Sequence, residues 1–168
     1  MQRSIYDFSD RLPKIGVLLF PLIFVAAGLI LFYYNLKIAN KSEELWIGIN
    51  KRKYNMVFGL LFATIGLMIF IFVLSYNMKE YSKTKKVYDE KQYKIVEGEI
   101  EQFHPKSGHD SERFTVKGIP FEYSDDDLSD YGYNTVASNG GILKENLHVR
   151  ISYFNNGQKN IILKLESK

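Results

Sequence analysis

The chain has 168 residues, no cysteine, and a formal net charge of +3 that is split unevenly: residues 1–94 hold 14 Lys/Arg against 7 Asp/Glu, while residues 95–168 hold 8 against 12. The missing thiols exclude disulfides, thiolate catalysis and zinc ribbons. The basic part carries all the long apolar runs, and the acidic part would repel a phosphate backbone, so nucleic acid is not an expected partner.

In chain order, a polar flank over residues 1–14 with Arg3, Arg11 and Lys14 precedes twenty residues without a charge, Ile15 to Tyr34. A second uncharged run of twenty-one residues extends from Met56 to Tyr76. At 1.5 Å rise per residue, each run covers the roughly 30 Å hydrocarbon core of a bilayer as a helix. Phe32, Tyr33 and Tyr34 close the first run, and Tyr54 and Tyr76 bracket the second, as interfacial aromatics do. The expectation is a membrane hairpin of two transmembrane helices with the lipid bilayer as partner. The first run continues apolar beyond Ala26-Ala27-Gly28, too far for a signal-peptide core, so it is expected to be retained. Pro21 is expected to kink it. Neither run holds an ionisable residue, which argues against an ion pathway. Gly59-x-x-x-Ala63 and Gly66 face Ala26, Ala27 and Gly28 in composition. Such small residues serve packing within a hairpin, the favoured reading, or a homo-oligomer.

The connector over residues 35–55 carries five Lys/Arg and the two outer flanks nine, which puts both termini of a multi-pass plasma or inner membrane protein in the cytoplasm. In the connector, Leu45, Trp46, Ile47 and Ile49 form an apolar patch expected at the membrane surface. Residues 77–93 contain neither Gly nor Pro and should prolong the second helix as a basic juxtamembrane segment.

From residue 94 the pattern changes to strict alternation, which predicts half-buried strands. Val96, Gly98 and Ile100 alternate with glutamates, then follow Phe114 and Val116, then Ile119, Phe121 and Tyr123, with Lys117-Gly118 as a tight turn. Val149, Ile151 and Tyr153 lead through Asn155-Asn156-Gly157 to Ile161, Leu163 and Leu165. Five short strands over residues 94–168 predict a soluble all-β domain, a small OB- or SH3-like β-barrel. Residues 125–147 have no periodicity, apart from a turn of helix expected at Leu143–Leu147, and a loop of that length is expected to be functional or disordered.

Candidate chemistry is sparse. His104, His109, Asp110 and His148 match no zinc or iron spacing, and the acidic run from Asp125 to Asp130 lacks the glycine and closing glutamate of a calcium loop. No metal or other cofactor is expected. A hydrolase reading would use His109, Asp110 and Glu112, but no nucleophile completes it. Recognition of a protein partner or small ligand is the favoured function, with His109, Asp110, Glu112, Tyr131, Tyr133 and Asn134 as the candidate binding residues. A role as accessory subunit of a larger membrane complex is the alternative.

Several strings resemble a group of uncharacterised bacterial membrane proteins with one or two spans and a compact C-terminal β-domain. They include Val96-Glu97-Gly98, Phe103-His104-Pro105, Gly108-His109-Asp110-Ser111-Glu112, Phe114-Thr115-Val116 with Gly118, and Phe121-Glu122-Tyr123-Ser124-Asp125. Gly132-Tyr133-Asn134, Gly140-Gly141 and Val149-Arg150-Ile151-Ser152-Tyr153 extend the likeness, which covers residues 95–166. It implies the domain plan and a bacterial cell membrane, and it implies no activity.

Overall fold

The computed structural model describes residues 3–13, 16, 19–37, 50–108, 110–127 and 131–167. The apolar connector patch from Leu45 to Ile49 lies outside them. The chain forms two compact units, one of Lys14–Asn77 and the other of Met1–Pro13 with Met78–Lys168.

The first unit contains helix α1 (Leu19–Lys37) and most of helix α2 (Lys51–Asp89). Both helices are long and apolar enough to cross a membrane, by length and composition. They pack through their smallest residues. A Cβ on Gly28 would stand 2.5 Å from the Gly59 carbonyl oxygen, and one on Gly59 would stand 2.7 Å from that of Gly28. Backbone therefore touches backbone, and the small-residue stripe is used inside the hairpin. Arg52 closes one end of α1, donating through Nε to the Asn35 carbonyl (2.7 Å) and through Nη2 to that of Leu36 (3.0 Å). The cation suits the negative end of the helix. Asn50 caps α2, its Oδ1 accepting from the backbone of Arg52 and Lys53. Pro21 falls in the first turn of α1, where its missing N–H forfeits no hydrogen bond, so the expected cause of a kink is absent there. As expected, α2 continues well past Tyr76; it ends where Lys91 adopts φ +54° and Gln92 N–H returns to the Val87 carbonyl.

Among the described residues, the second unit is built on one antiparallel sheet of six strands, not five: β1 (Arg3–Asp7), β2 (Lys94–His104), β3 (Glu112–Val116), β4 (Ile119–Tyr123), β5 (His148–Asn155) and β6 (Asn160–Ser167). The spatial order is β1-β6-β5-β2-β3-β4. The extra strand comes from the segment read as a flank of the first apolar run, and it pairs with the last strand of the chain. Nor is the sheet the closed barrel expected. It curls because the eleven-residue β2 gives its first half to β5 and its second half to β3. Closure stops short at β4, where Pro120 has no N–H to offer a ladder. The carbonyl of Pro120 accepts the side chain of Asn160 instead (2.8 Å). Beside it, Tyr133 N–H takes the Ile162 carbonyl (2.9 Å), so the 131–134 segment lines part of β6. Gly132 is needed for that approach, since a Cβ would meet Ile161 Cγ2 at 2.7 Å.

The expected hairpin between β3 and β4 is present, with Lys117 and Gly118 at φ +50° and +74°. Two consecutive positive values are what a two-residue hairpin requires, and glycine takes them without strain. The inward face buries Val96, Ile100, Phe114, Val116, Phe121 and Tyr153. A second cluster joins Phe8, Tyr131, Phe154, Ile161 and Leu163 to Tyr81 and Tyr88 on the last turns of α2.

Candidate functional site

The described residues of the 125–147 segment are packed onto the sheet rather than splayed into solvent. Tyr131, Tyr133, Val136 and Leu143 are all buried, and among the described residues the helical turn is a 3-10 turn at Ala137–Asn139, not at Leu143–Leu147. The three aspartates that open it are clamped by lysines. Lys106 lies 2.5 Å from both Asp125 and Asp126, and Lys159 lies 2.6 Å from Asp127. Asp125 is held below the usual carboxylate range, chiefly by the Lys106 ammonium.

Of the six sequence candidates, the five that are described do not converge on one exposed site. His109 lies outside the described residues. Asp110 is exposed and stands 3.8 Å from Arg113. Glu112 is fully buried, bonded to the Tyr123 hydroxyl, and accepts Ala137 N–H at 3.0 Å. A carboxylate so placed staples the 131–141 segment to β3, and it cannot reach a solvent-borne substrate. Of the hydrolase residues that are described, Asp110 thus lies at the surface and Glu112 in the core. Tyr133 packs edge-on against Tyr6 and Tyr123, and Tyr131 against Tyr81. Burial pushes the Tyr6 and Tyr133 phenols up to about 12, and burial with the Glu112 bond pushes Tyr123 well above its ordinary range. Asn134 is half-buried and accepts from Arg11 (3.2 Å), whose guanidinium covers the Tyr6 ring at 5.1 Å.

A different group of residues does converge. The unclosed corner of the sheet forms an open cleft of about 370 Å³ between the ends of β2, β3 and β4 and the β5–β6 hairpin. Gln102, His104, Arg113, Gln158, Lys159 and Asn160 line it, with Glu122 as its carboxylate. A bulge positions the β2 residues: the register shifts between Glu101 and His104, with Gln102 at φ +54°. The amides freed there are taken by Glu145, from Gln102 N–H at 3.2 Å and from Phe103 N–H at 2.6 Å. His104 Nδ1 lies 2.7 Å from the Gln102 carbonyl, which fixes its ring. Arg113 is held loosely, 3.5 Å from Glu122 and 3.8 Å from Asp110, with more than half its side chain exposed. Such surface pairs contribute little. An incoming anion can therefore take the guanidinium at small cost.

Sequence reading missed this cleft because its residues come from outward strand positions between Gln102 and Glu122 and from the β5–β6 turn more than thirty residues further on. On a strand, an outward polar residue reads as ordinary solvated surface. Compared with protein families, with curated proteins and with solved structures, the chain matches none of them. The functional argument therefore rests on the site.

Proposed function

We propose that this protein is a membrane-anchored recognition module whose β-domain binds a small polar ligand carrying an anionic group. The donor-rich cleft at the open corner of the sheet carries the reading. It places the loosely paired Arg113 and several carboxamides beside Glu122, with Lys159, bound to Asp127, at its edge, within a stretch of chain that is otherwise net acidic. A carboxylate or phosphate suits the planar fork of Arg113, and the carboxamides suit a polar backbone beside it.

The membrane part of the proposal rests on the two uncharged helices and on strand pairing. Because β1 is hydrogen-bonded to β6, the segment before α1 and the end of the chain share one compartment. The intervening chain then crosses the bilayer an even number of times, which two helices satisfy. Cleavage after the first helix would remove a strand of the sheet, so the pairing favours retention. The excess of Lys/Arg on the outer flanks supports a cytoplasmic assignment for that compartment.

The test is a titration of isotope-labelled full-length protein in micelles with an acidic and a basic dipeptide. The acidic peptide should shift amide signals of Gln102–His104, Arg113–Thr115 and Gln158–Asn160, and Arg113→Gln should abolish the effect. Equal response to both peptides, or shifts scattered over the whole sheet, would sink the assignment.

A further inference from the structure

The last turns of α2 have two unlike faces. Tyr81, Thr84 and Tyr88 turn inward, with Tyr81 and Tyr88 stacked about Phe8 and Thr84 buried. On the opposite side Lys79, Lys83 and Lys86 follow one another at the i, i+4, i+7 spacing of a single helical stripe, and all three are exposed. Lys86 stands at the limit of contact with Glu90, 3.9 Å away, whereas among the described residues Lys79 and Lys83 make no ion pair. This stripe faces away from the sheet.

Its position along the helix says what it faces. The apolar run ends at Tyr76, and α2 continues without a break. At 1.5 Å per residue, Lys79 and Lys83 lie about 4.5 Å and about 10 Å beyond that point. The polar layer of a bilayer is roughly 5–8 Å deep on each side, and a lysine stem can bend back toward it. We propose that Lys79 and Lys83 form a docking face for the phosphate groups of anionic phospholipids. The inference rests on the membrane reading above. It adds a lipid class to it and assigns a task to the cationic stripe.

Electron spin resonance on full-length protein in phosphatidylcholine vesicles, with trace spin-labelled phosphatidylglycerol or phosphatidylcholine, measures the preference directly. Wild type should prefer phosphatidylglycerol, and each lysine removed should weaken that preference up to about fivefold at low salt. K79Q/K83Q should therefore lose most of it, leaving the part due to Lys51, Arg52 and Lys53 at the other end of α2. K117Q/K144Q, which alters the same charge elsewhere, should change nothing, and inorganic phosphate should not compete. Equal preference in wild type and K79Q/K83Q, or none in wild type, would overturn the proposal. Failure of the protein to float with vesicles would overturn the membrane reading itself, a distinct result seen before any lipid is compared.

Discussion

The helical hairpin and the β-domain use the same apolar side chains in opposite ways. In the sheet unit Ile100, Val116, Val149, Ile151, Leu163 and Leu165 are wholly buried, and charge lies outside. In the helices Leu22, Ile30, Leu60, Met68 and Phe72 point outward, and the contact between helices is made by Gly28, Gly59 and Ala63. One unit removes large residues from water by covering them with each other. The other leaves them uncovered and joins its helices where side chains are smallest. Uncovered leucine is stable in lipid and costly in water, so the contrast is the one the proposed membrane setting calls for.

Four experiments bear on that comparison. The largest effect should come from deleting residues 3–10. This removes β1 and takes Phe8 from between Tyr81 and Tyr88, a loss of about 5 kcal/mol or more, comparable to the stability of a small domain. Urea unfolding of full-length protein in micelles, followed by near-ultraviolet circular dichroism, should show the sheet unit unfolded while helical signal persists. A cooperative transition at the wild-type midpoint would mean that β1 is dispensable.

Glu112→Ala should follow, at about 3 kcal/mol, because it leaves the buried Tyr123 hydroxyl and the part-buried Ala137 N–H without their acceptor. Glu112→Gln keeps one acceptor and should cost less. Equal midpoints for the two variants would show that the staple is inert. In the hairpin, Gly28→Leu should cost about 2–3 kcal/mol, since its side chain must enter space held by the Gly59 and Ala63 backbone. Detergent-dependent proteolysis between the helices should rise while the β-domain keeps its signal. If instead both units fail together, they are not separable in the way the comparison requires.

The smallest effect at neutral pH concerns the phenols. Tyr6 and Tyr133 have folded-state values raised to about 12 by burial. The stability they add is complete below the ordinary phenol range near about 10, and it is lost as pH rises toward 12. Tyrosinate absorbance should therefore appear together with unfolding of the sheet, and Tyr133→Phe should remove part of that pH dependence. Titration at the ordinary value with the sheet intact would contradict the burial.

At the other end of the pH scale, Asp7 lies below the usual carboxylate range. Burial opposes this, but bonds from Tyr88 (2.5 Å) and Ser9, with the Lys164 charge, outweigh it. That carboxylate was invisible as a structural group in the sequence. Residues 3–8 do show a short alternation in Tyr6 and Phe8, but six residues beside a long apolar run read as a flank. Tyr131 and Tyr133 were misleading for a related reason. In a segment without periodicity, nothing distinguishes an aromatic that waits for a partner from one that fills the core. The Lys117-Gly118 turn and the strands on either side were legible because their rules are local.

The sequence by itself determined the elements whose signal lies within about twenty consecutive residues: two long apolar helices, five alternating strands and the glycine turn. Periodicity and uninterrupted hydropathy are properties of neighbours along the chain, so no fold is needed to read them. Only the tertiary structure decided that the first strand pairs with the last, that Glu112 is a buried staple, and that the sheet stays open at Pro120 beside a donor-lined cleft. Each of those depends on which distant residues meet. Strand pairing and side-chain burial are long-range choices, settled by the packing of the whole domain.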